Sequence, residues 1–189
     1  MRRICLALAV GYFSALSATA QTVLERLPTC LACHGENGLS QNPGVPSLGA
    51  QQIYFVTVQL LMFRDRMRVV DPMNDMTKGL TDADLQSFAD IISKLPAPQP
   101  VTGAAEDARV ERARALVEQN HCNFCHTPTL AGQQNVPRIA DQREDYLLKS
   151  LRGYKDNSRR GYDAAMSDVV APMTDDQFQD LAYYIARVR

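Results

Sequence analysis

Two short segments of the sequence combine cysteine and histidine at a spacing that permits covalent and metal chemistry. They are CLACH at 30–34 and CNFCH at 122–126, each with two thiols three positions apart and a histidine directly after the second. Thiols at that spacing can form thioether bonds to the two vinyl groups on one edge of a porphyrin, and the adjacent imidazole can bind its iron. The pattern therefore predicts two covalently bound haem c groups. The expected attachment and iron-binding residues are Cys30, Cys33, His34, Cys122, Cys125 and His126.

Paired cysteines also occur in redox, zinc and disulfide sites. A thioredoxin-like redox pair belongs to a βαβ context, and the sequence has no such pattern. A zinc site would require the two pairs to converge on one ion. A disulfide within each pair would leave the histidine that follows it without a role. Haem attachment explains all of these residues at once.

The two segments occupy corresponding places in an internal duplication. The cysteine segments are offset by 92 residues, and VPSLGAQ at 45–51 recurs as VPRIADQ at 136–142 with an offset of 91. FRDRMR at 63–68 is matched by YKDNSR at 154–159, again with an offset of 91. A series of matches in the same order indicates two related domains, each expected to hold one haem.

The duplication also selects candidates for the second axial ligand of each iron. Met73 and Met166 both stand eight residues before a threonine that is expected to cap a helix. A methionine opposite the histidine saturates the iron and raises its reduction potential. Met67, Met76 and Met173 are rivals, and a methionine can also be simple core filler. Neither Met76 nor Met173 has a partner in the other half, so Met73 and Met166 are the expected ligands.

Two prolines and one further histidine lie close to the cysteine segments in the sequence or in the repeat. Pro46 and Pro137 follow His34 and His126 by twelve and eleven residues. A proline carbonyl could accept a hydrogen bond from the second ring nitrogen of each histidine and so orient it. A plain turn role explains the spacing equally well. His121 has no partner in the first half and is expected to be a surface residue.

The segments that must position these residues are predicted to be helical. Thr81 and Thr174 each precede an apolar repeat of helical period and are expected to cap a helix. Ahead of its cysteines the first half should contain only a short helix over 23–27, because Pro28 would interrupt it. Further helices are expected over 52–64, 105–119 and 143–155. No alternating strand pattern is present, so the expected fold class is all-α, with a small helical bundle in each domain.

The chain begins with a segment of different composition. Residues 1–20 contain two arginines, an apolar run and the small-residue end Ala18-Thr19-Ala20, which is typical of a secretory signal peptide. Cleavage after Ala20 and export to the periplasm are expected, with an uncleaved anchor as the alternative. Three prolines within 96–100 indicate a semi-stiff connector. The expected layout is a signal peptide over 1–20, domain 1 over 21–95, a proline-rich linker over 96–104 and domain 2 over 105–189.

The charge balance limits the classes of partner. The chain has 20 basic and 21 acidic residues, and removal of the two leader arginines takes the formal net charge from −1 to −3. Such a chain lacks the basic surface that binding to nucleic acid requires. We therefore expect no nucleic acid among its partners.

Together the motifs resemble one family over essentially the whole chain after the leader, the tandem di-haem class I cytochromes c of the cytochrome c4 type. The segments that carry the resemblance are CLACHG, PSLGAQ, FRDRMR and LTDAD in the first half and CNFCH, PRIADQ, YLLKSLRGYKDNSR and MTDDQ in the second. The resemblance implies two tandem class I cytochrome c domains, each formed around one covalent haem c. The axial ligands that it implies are His34, Met73, His126 and Met166. It also favours Pro46 and Pro137 as the residues that orient the histidines.

Four residues depart from the family pattern. Thr127, Arg66 and Asn157 stand where the family has glycine, and Phe55 stands where it has tyrosine. None of these changes removes an expected ligand.

The resemblance implies a periplasmic electron carrier rather than an enzyme, either soluble after removal of the leader or attached peripherally to the membrane. It would transfer single electrons from a quinol-oxidising cytochrome complex or a dehydrogenase to a terminal oxidase or another acceptor. The alternative is the cytochrome c subunit of a flavin- or quinone-dependent dehydrogenase complex of the sulfide or alcohol dehydrogenase type. A di-haem peroxidase would require one iron without a methionine ligand, and both halves contain a candidate.

Overall fold

The structure, a computed structural model, describes residues 22–159 and 164–188. The signal peptide predicted over residues 1–20 lies outside the described residues. The described residues form nine α-helices and no β-strand, so the all-α class is confirmed. The helices are α1 (Val23–His34), α2 (Ile53–Arg64), α3 (Met73–Thr77), α4 (Asp82–Lys94), α5 (Asp107–Gln119), α6 (Cys122–His126), α7 (Glu144–Lys155), α8 (Ala165–Val170) and α9 (Asp175–Ile185).

Each half of the chain packs its helices around a core of its own. In the first half α2 contacts α3 and α4, and α1 contacts α4. In the second half α9 contacts α5 and α7, and α7 contacts α8. The buried residues of the first core are Val56, Leu80, Leu85, Phe88, Ala89 and Ile92. The second core includes Leu116, Leu147, Phe178, Leu181 and Ile185. The duplicated sequence thus forms two similar helical units.

The two predicted helix caps are present. Thr81 Oγ1 accepts a hydrogen bond from the Asp84 N–H at 3.2 Å, and Thr174 Oγ1 accepts one from the Gln177 N–H at 3.3 Å. In both cases the side-chain oxygen at the third helical position accepts a hydrogen bond from the threonine N–H, which completes a capping box. The two capped helices, α4 and α9, bury their apolar faces in the first and the second core respectively.

The expectation of a short first helix is wrong. α1 continues through Pro28 to His34, over 12 residues. Pro28 removes only its own hydrogen bond to the Leu24 carbonyl, and both residues lie on the exposed side of the helix. A capping box between Thr22 and Glu25 secures the start of the helix. The first cysteine pair therefore lies on a continuous helix.

The second cysteine pair is presented differently. α5 ends at Gln119, as predicted, and a separate short helix, α6, begins at Cys122. The break falls at His121, which is exposed and has a left-handed backbone with a φ of 53°. The prediction that His121 is a surface residue is confirmed.

The connector between the halves contains no helix. Its Val101 N–H donates to the Ala186 carbonyl at 2.9 Å, which lays it along the end of α9. None of the helices in the described ranges is long and apolar enough to cross a membrane.

Candidate haem sites

The four cysteines are arranged in the same way in both halves. Cys30 and Cys122 are half-buried and pack against the first and the second core respectively, whereas Cys33 and Cys125 are exposed. A spacing of three positions on a helix puts both thiols of a pair on one side. All four are free thiols, and burial raises the pKa of Cys30 and Cys122. Each helix therefore offers two unpaired thiols at the edge of its core.

The histidine that follows each pair is buried and held by a proline carbonyl. His34 and His126 are both 6% exposed. Nδ1 of His34 lies 2.8 Å from the Pro46 carbonyl oxygen, and Nδ1 of His126 lies 2.9 Å from that of Pro137. A carbonyl can only accept, so Nδ1 carries the proton and donates it.

This hydrogen bond fixes the chemical state of the second ring nitrogen. Burial lowers the pKa of both His34 and His126, against the opposing effect of the proline carbonyls. The rings are therefore neutral, with a lone pair on Nε2. That is the form in which histidine binds a metal, and a carbonyl on Nδ1 is the usual partner that orients such a ligand.

The methionines differ in exposure. Met73 begins α3 and Met166 lies in the first turn of α8, and both are half-buried. Met67 and Met76 are 56% and 40% exposed, and Met173 is a core residue with 3% exposure. The assignment of Met73 and Met166 as axial ligands stays a prediction.

Sequence reasoning missed a cluster of charged and aromatic residues that joins the two halves. Arg159 Nη1 donates to the Tyr146 hydroxyl at 2.9 Å, and Arg68 of the first half approaches the same hydroxyl. Burial raises the pKa of Tyr146, but Arg159 and Arg68 together lower it to about 7. The sequence contained a signal for this cluster, because Arg68 and Arg159 are the last residues of the matched segments 63–68 and 154–159.

The donor groups of this cluster fit the anionic part of a haem. Burial and the nearby Arg159 charge lower the pKa of Arg68, and Arg68 Nε is buried without a hydrogen-bond partner. Within residues 22–159 and 164–188 neither arginine forms an ion pair with a carboxylate. Haem carries two propionate carboxylates, which such guanidinium groups recognise well. The residues present therefore suit haem c at both its thioether and its propionate ends.

An all-α protein with two similar halves, each with a pair of free thiols followed by a buried, carbonyl-bound histidine, has the features of a di-haem c-type cytochrome. The family model "Cytochrome c" matches residues 110–189. The thiosulfate dehydrogenase electron acceptor of Thiomonas intermedia is 32% identical over 98% of this chain and 91% of its own length. The cytochrome c4 of Pseudomonas aeruginosa is 26% identical over 82% of each chain.

A solved structure of reduced recombinant cytochrome c4 from Pseudomonas stutzeri has the same fold. It aligns with a TM-score of 0.78 and 24% identity over 88% of this chain and 97% of that chain. The chain belongs to the di-haem cytochrome c4-type family, as its motifs suggested. It binds two covalent haem c groups in two class I cytochrome c domains. It is an electron carrier rather than an enzyme.

Proposed function

We propose that this cytochrome accepts electrons in the periplasm from a dehydrogenase that oxidises thiosulfate, and passes them singly to a terminal oxidase or another acceptor. The observation that carries the proposal is the 32% identity to a thiosulfate dehydrogenase electron acceptor over 98% of the chain. That identity extends over both halves, so it concerns the whole carrier and not only the haem-attachment segments.

The proposal assigns the site residues half by half. In domain 1, over 21–95, Cys30 and Cys33 form the thioethers, and His34 and Met73 are the axial ligands. In domain 2, over 105–189, Cys122 and Cys125 form the thioethers, and His126 and Met166 are the axial ligands. Pro46 and Pro137 orient the two histidines, and residues 96–104 form the linker. The free thiols, the neutral buried histidines and their carbonyl partners support these roles.

When bound, haem c supplies a one-electron iron centre. The chain contributes the environment of that centre. It anchors the porphyrin through thiols, keeps the Nε2 lone pairs available through the proline carbonyls, and offers guanidinium groups to the propionates. The leader-like residues 1–20 support export to the periplasm.

The test is reduction of the purified, exported protein by thiosulfate in the presence of a thiosulfate dehydrogenase. Mass spectrometry of the mature chain should first give two covalent haems and a start at Gln21. Stopped-flow absorbance should then record rapid reduction of both haems only when enzyme and substrate are both present. Dithionite is the control for redox competence. Reduction by dithionite without reduction by the enzyme would refute thiosulfate dehydrogenase as the donor.

A second candidate is a carrier between a quinol-oxidising cytochrome complex and a terminal oxidase. The 26% identity to a protein named cytochrome c4 favours it. The same stopped-flow experiment with the quinol-oxidising complex in place of the dehydrogenase separates the two donors. A third arrangement, a permanent subunit of a flavin- or quinone-dependent dehydrogenase, predicts that the cytochrome co-purifies with that enzyme at a fixed ratio.

A further inference from the structure

The two halves meet through a pair of buried glutamines at equivalent positions, Gln51 and Gln142. Gln142 Oε1 accepts a hydrogen bond from the Ser47 N–H at 2.8 Å, and its Nε2 donates to the Ser47 carbonyl at 2.8 Å. Gln51 Oε1 accepts from the Arg138 N–H at 2.7 Å, and its Nε2 donates to the Arg138 carbonyl at 3.0 Å. Each glutamine thus binds the main chain of the opposite half, and the exposed fractions of 8% and 6% leave water little access.

The main-chain groups that the glutamines bind are next to the haem histidines. The Ser47 N–H belongs to the same peptide group as the Pro46 carbonyl, which accepts the Nδ1 proton of His34. The three groups Gln142 Oε1, peptide 46–47 and the His34 ring therefore form a continuous series of hydrogen bonds. The series begins in one half and ends in the other.

The mirror-image series is present as well. The Arg138 N–H belongs to the peptide group of the Pro137 carbonyl, which accepts the Nδ1 proton of His126. Gln51 of the first half binds that peptide at its N–H. The duplication has therefore produced two crossed series of the same composition.

Hydrogen bonds in series strengthen one another. An acceptor on a peptide N–H makes the carbonyl of that peptide more negative and hence a better acceptor. A better acceptor on Nδ1 draws the imidazole proton further away and makes Nε2 a stronger donor to the iron. A stronger donor favours Fe(III) over Fe(II) and so lowers the reduction potential. Burial keeps these effects from being screened by water.

We propose that Gln142 lowers the reduction potential of the haem in the first half, and that Gln51 lowers that of the haem in the second half. Both are positioning residues that act crosswise through the opposite half's proline–histidine hydrogen bond. The inference rests on the proposed roles of His34 and His126 as iron ligands.

A matched control is available beside Gln51. Gln52 also crosses between the halves, because its Nε2 donates to the Ala131 carbonyl at 2.9 Å. That carbonyl belongs to peptide 131–132, whose N–H donates to the main-chain carbonyl of His126 at 2.9 Å. The His126 ring is bound by a different peptide, the one that contains the Pro137 carbonyl. Loss of the Gln52 side chain thus removes a hydrogen bond between the halves, while its main-chain N–H still donates to Gln51 Oε1 and both series keep their hydrogen bonds.

The experiment compares Gln142→Leu, Gln51→Leu and Gln52→Leu in the mature protein with both haems attached. Redox titrations followed by NMR resolve the methyl signals of each haem. The signals are assigned to a half by replacing Met73 or Met166 with histidine in a separate protein. Should a leucine variant not fold, Gln142→Asn and Gln51→Asn replace it, because asparagine stays polar but is one methylene too short to keep both hydrogen bonds.

Gln142→Leu should shift the Fe(II)/Fe(III) ratio of the first haem toward Fe(II) by about two- to threefold, and that of the second haem by less. At 59 mV per tenfold change for one electron, this is roughly 20–30 mV. Gln51→Leu should have the reverse pattern, and Gln52→Leu should leave both ratios unchanged. In the reduced protein the Nδ1 proton signal of the opposite histidine should also move upfield, which reports the weaker hydrogen bond directly.

The inference is overturned if the glutamine variants shift both haems equally, shift chiefly the haem of their own half, or shift neither. If the wild-type protein has two covalent, histidine-ligated haems but the glutamine variants show no crossed effect, this inference alone is refuted. A wild-type protein without such haems refutes the proposed site residues as well.

Discussion

Thr127 follows His126 with a φ of 71° and a ψ of 159°, and Gly35 follows His34 with a φ of 86° and a ψ of 153°. The two residues thus share one backbone conformation at the end of α6 and α1. That region of conformational space is essentially restricted to glycine and costs other residues about 1–3 kcal/mol. The first half has the glycine that this conformation favours, Gly35. The second half has a β-branched residue, Thr127, in the same conformation.

Replacing Thr127 with glycine should therefore stabilise the protein by about 1 kcal/mol. The relief of backbone strain exceeds the roughly 0.5–1 kcal/mol that glycine loses through its freedom in the unfolded chain. Denaturant unfolding of the holoprotein measures the difference. The reciprocal change, Gly35→Ala, should destabilise it, because the added Cβ would lie 2.1 Å from the Leu39 carbonyl oxygen. A Thr127→Gly protein that unfolds at lower denaturant than wild type would contradict the prediction.

Sequence alone predicts the local features of this fold well. The caps at Thr81 and Thr174 follow from side chains that satisfy helix-end N–H groups within three residues. Arg66 and Asn157, which stand where the family has glycine, have φ values of 55° and 61° and so keep a left-handed backbone. Such features depend on residues that are adjacent in the sequence, and a sequence motif contains those residues.

Contacts between distant segments were harder to predict. The duplication pairs Gln51 with Gln142 and Arg68 with Arg159 as equivalent positions, but equivalence does not say that the two halves face each other there. That relation depends on how two preformed cores dock. The path of α1 through Pro28 was also missed, because a proline removes one hydrogen bond while the rest of the helix supplies the others.

Exchange of one methionine should lower the potential of one haem. Met73→His should lower the reduction potential of the first haem by on the order of 0.1–0.3 V, because imidazole stabilises Fe(III) better than a thioether does. This change lies within the roughly 0.8 V over which axial ligands set the potential of haem iron. Met166→His should do the same for the second haem. Redox titration followed by absorbance checks both. The exposed Met67 provides the control, since Met67→His should change neither potential. An unchanged titration for Met73→His or Met166→His would exclude that methionine as a ligand.

Truncation of Phe124 should slow electron exchange with a partner protein. The side chain is 83% exposed and stands between Cys122 and Cys125, beside the expected haem edge. An aromatic anchor lost from an interface costs about 1–2 kcal/mol, so Phe124→Ala should reduce the second-order rate constant by about five- to thirtyfold. Stopped-flow kinetics with thiosulfate dehydrogenase measure it, and both reduction potentials should stay the same. Leu24→Ala, which removes a side chain that is 71% exposed on α1, is the control. Equal rate constants for wild type and Phe124→Ala would remove Phe124 from the docking surface.

Loss of the Asp180 carboxylate should destabilise the second half in a pH-dependent way. Asp180 on α9 accepts hydrogen bonds from Arg112 Nε at 2.7 Å and Arg109 Nε at 2.9 Å, both on α5. The hydrogen bond from Arg112 and the contacts with Arg109 hold the pKa of Asp180 below its usual range, although burial opposes them. Asp180→Asn should lower the free energy of unfolding by about 1–3 kcal/mol at pH 7, because the half-buried Arg109 loses its counter-charge.

The sign of the pH dependence follows from the lowered pKa. The carboxylate stabilises the fold fully above its unfolded pKa of about 3.9, and that contribution is lost as the pH falls through the lower folded value. The difference in unfolding free energy between wild type and Asp180→Asn should therefore be constant from pH 7 to 5 and shrink below about pH 4. Asp90→Asn is the control. Asp90 pairs with Lys94 on the surface of α4, and about half of its side chain is exposed. Because such a surface ion pair contributes little to stability, Asp90→Asn should change the free energy of unfolding little. If the Asp180→Asn difference at pH 3 equals that at pH 7, the stabilisation does not come from the ionised carboxylate.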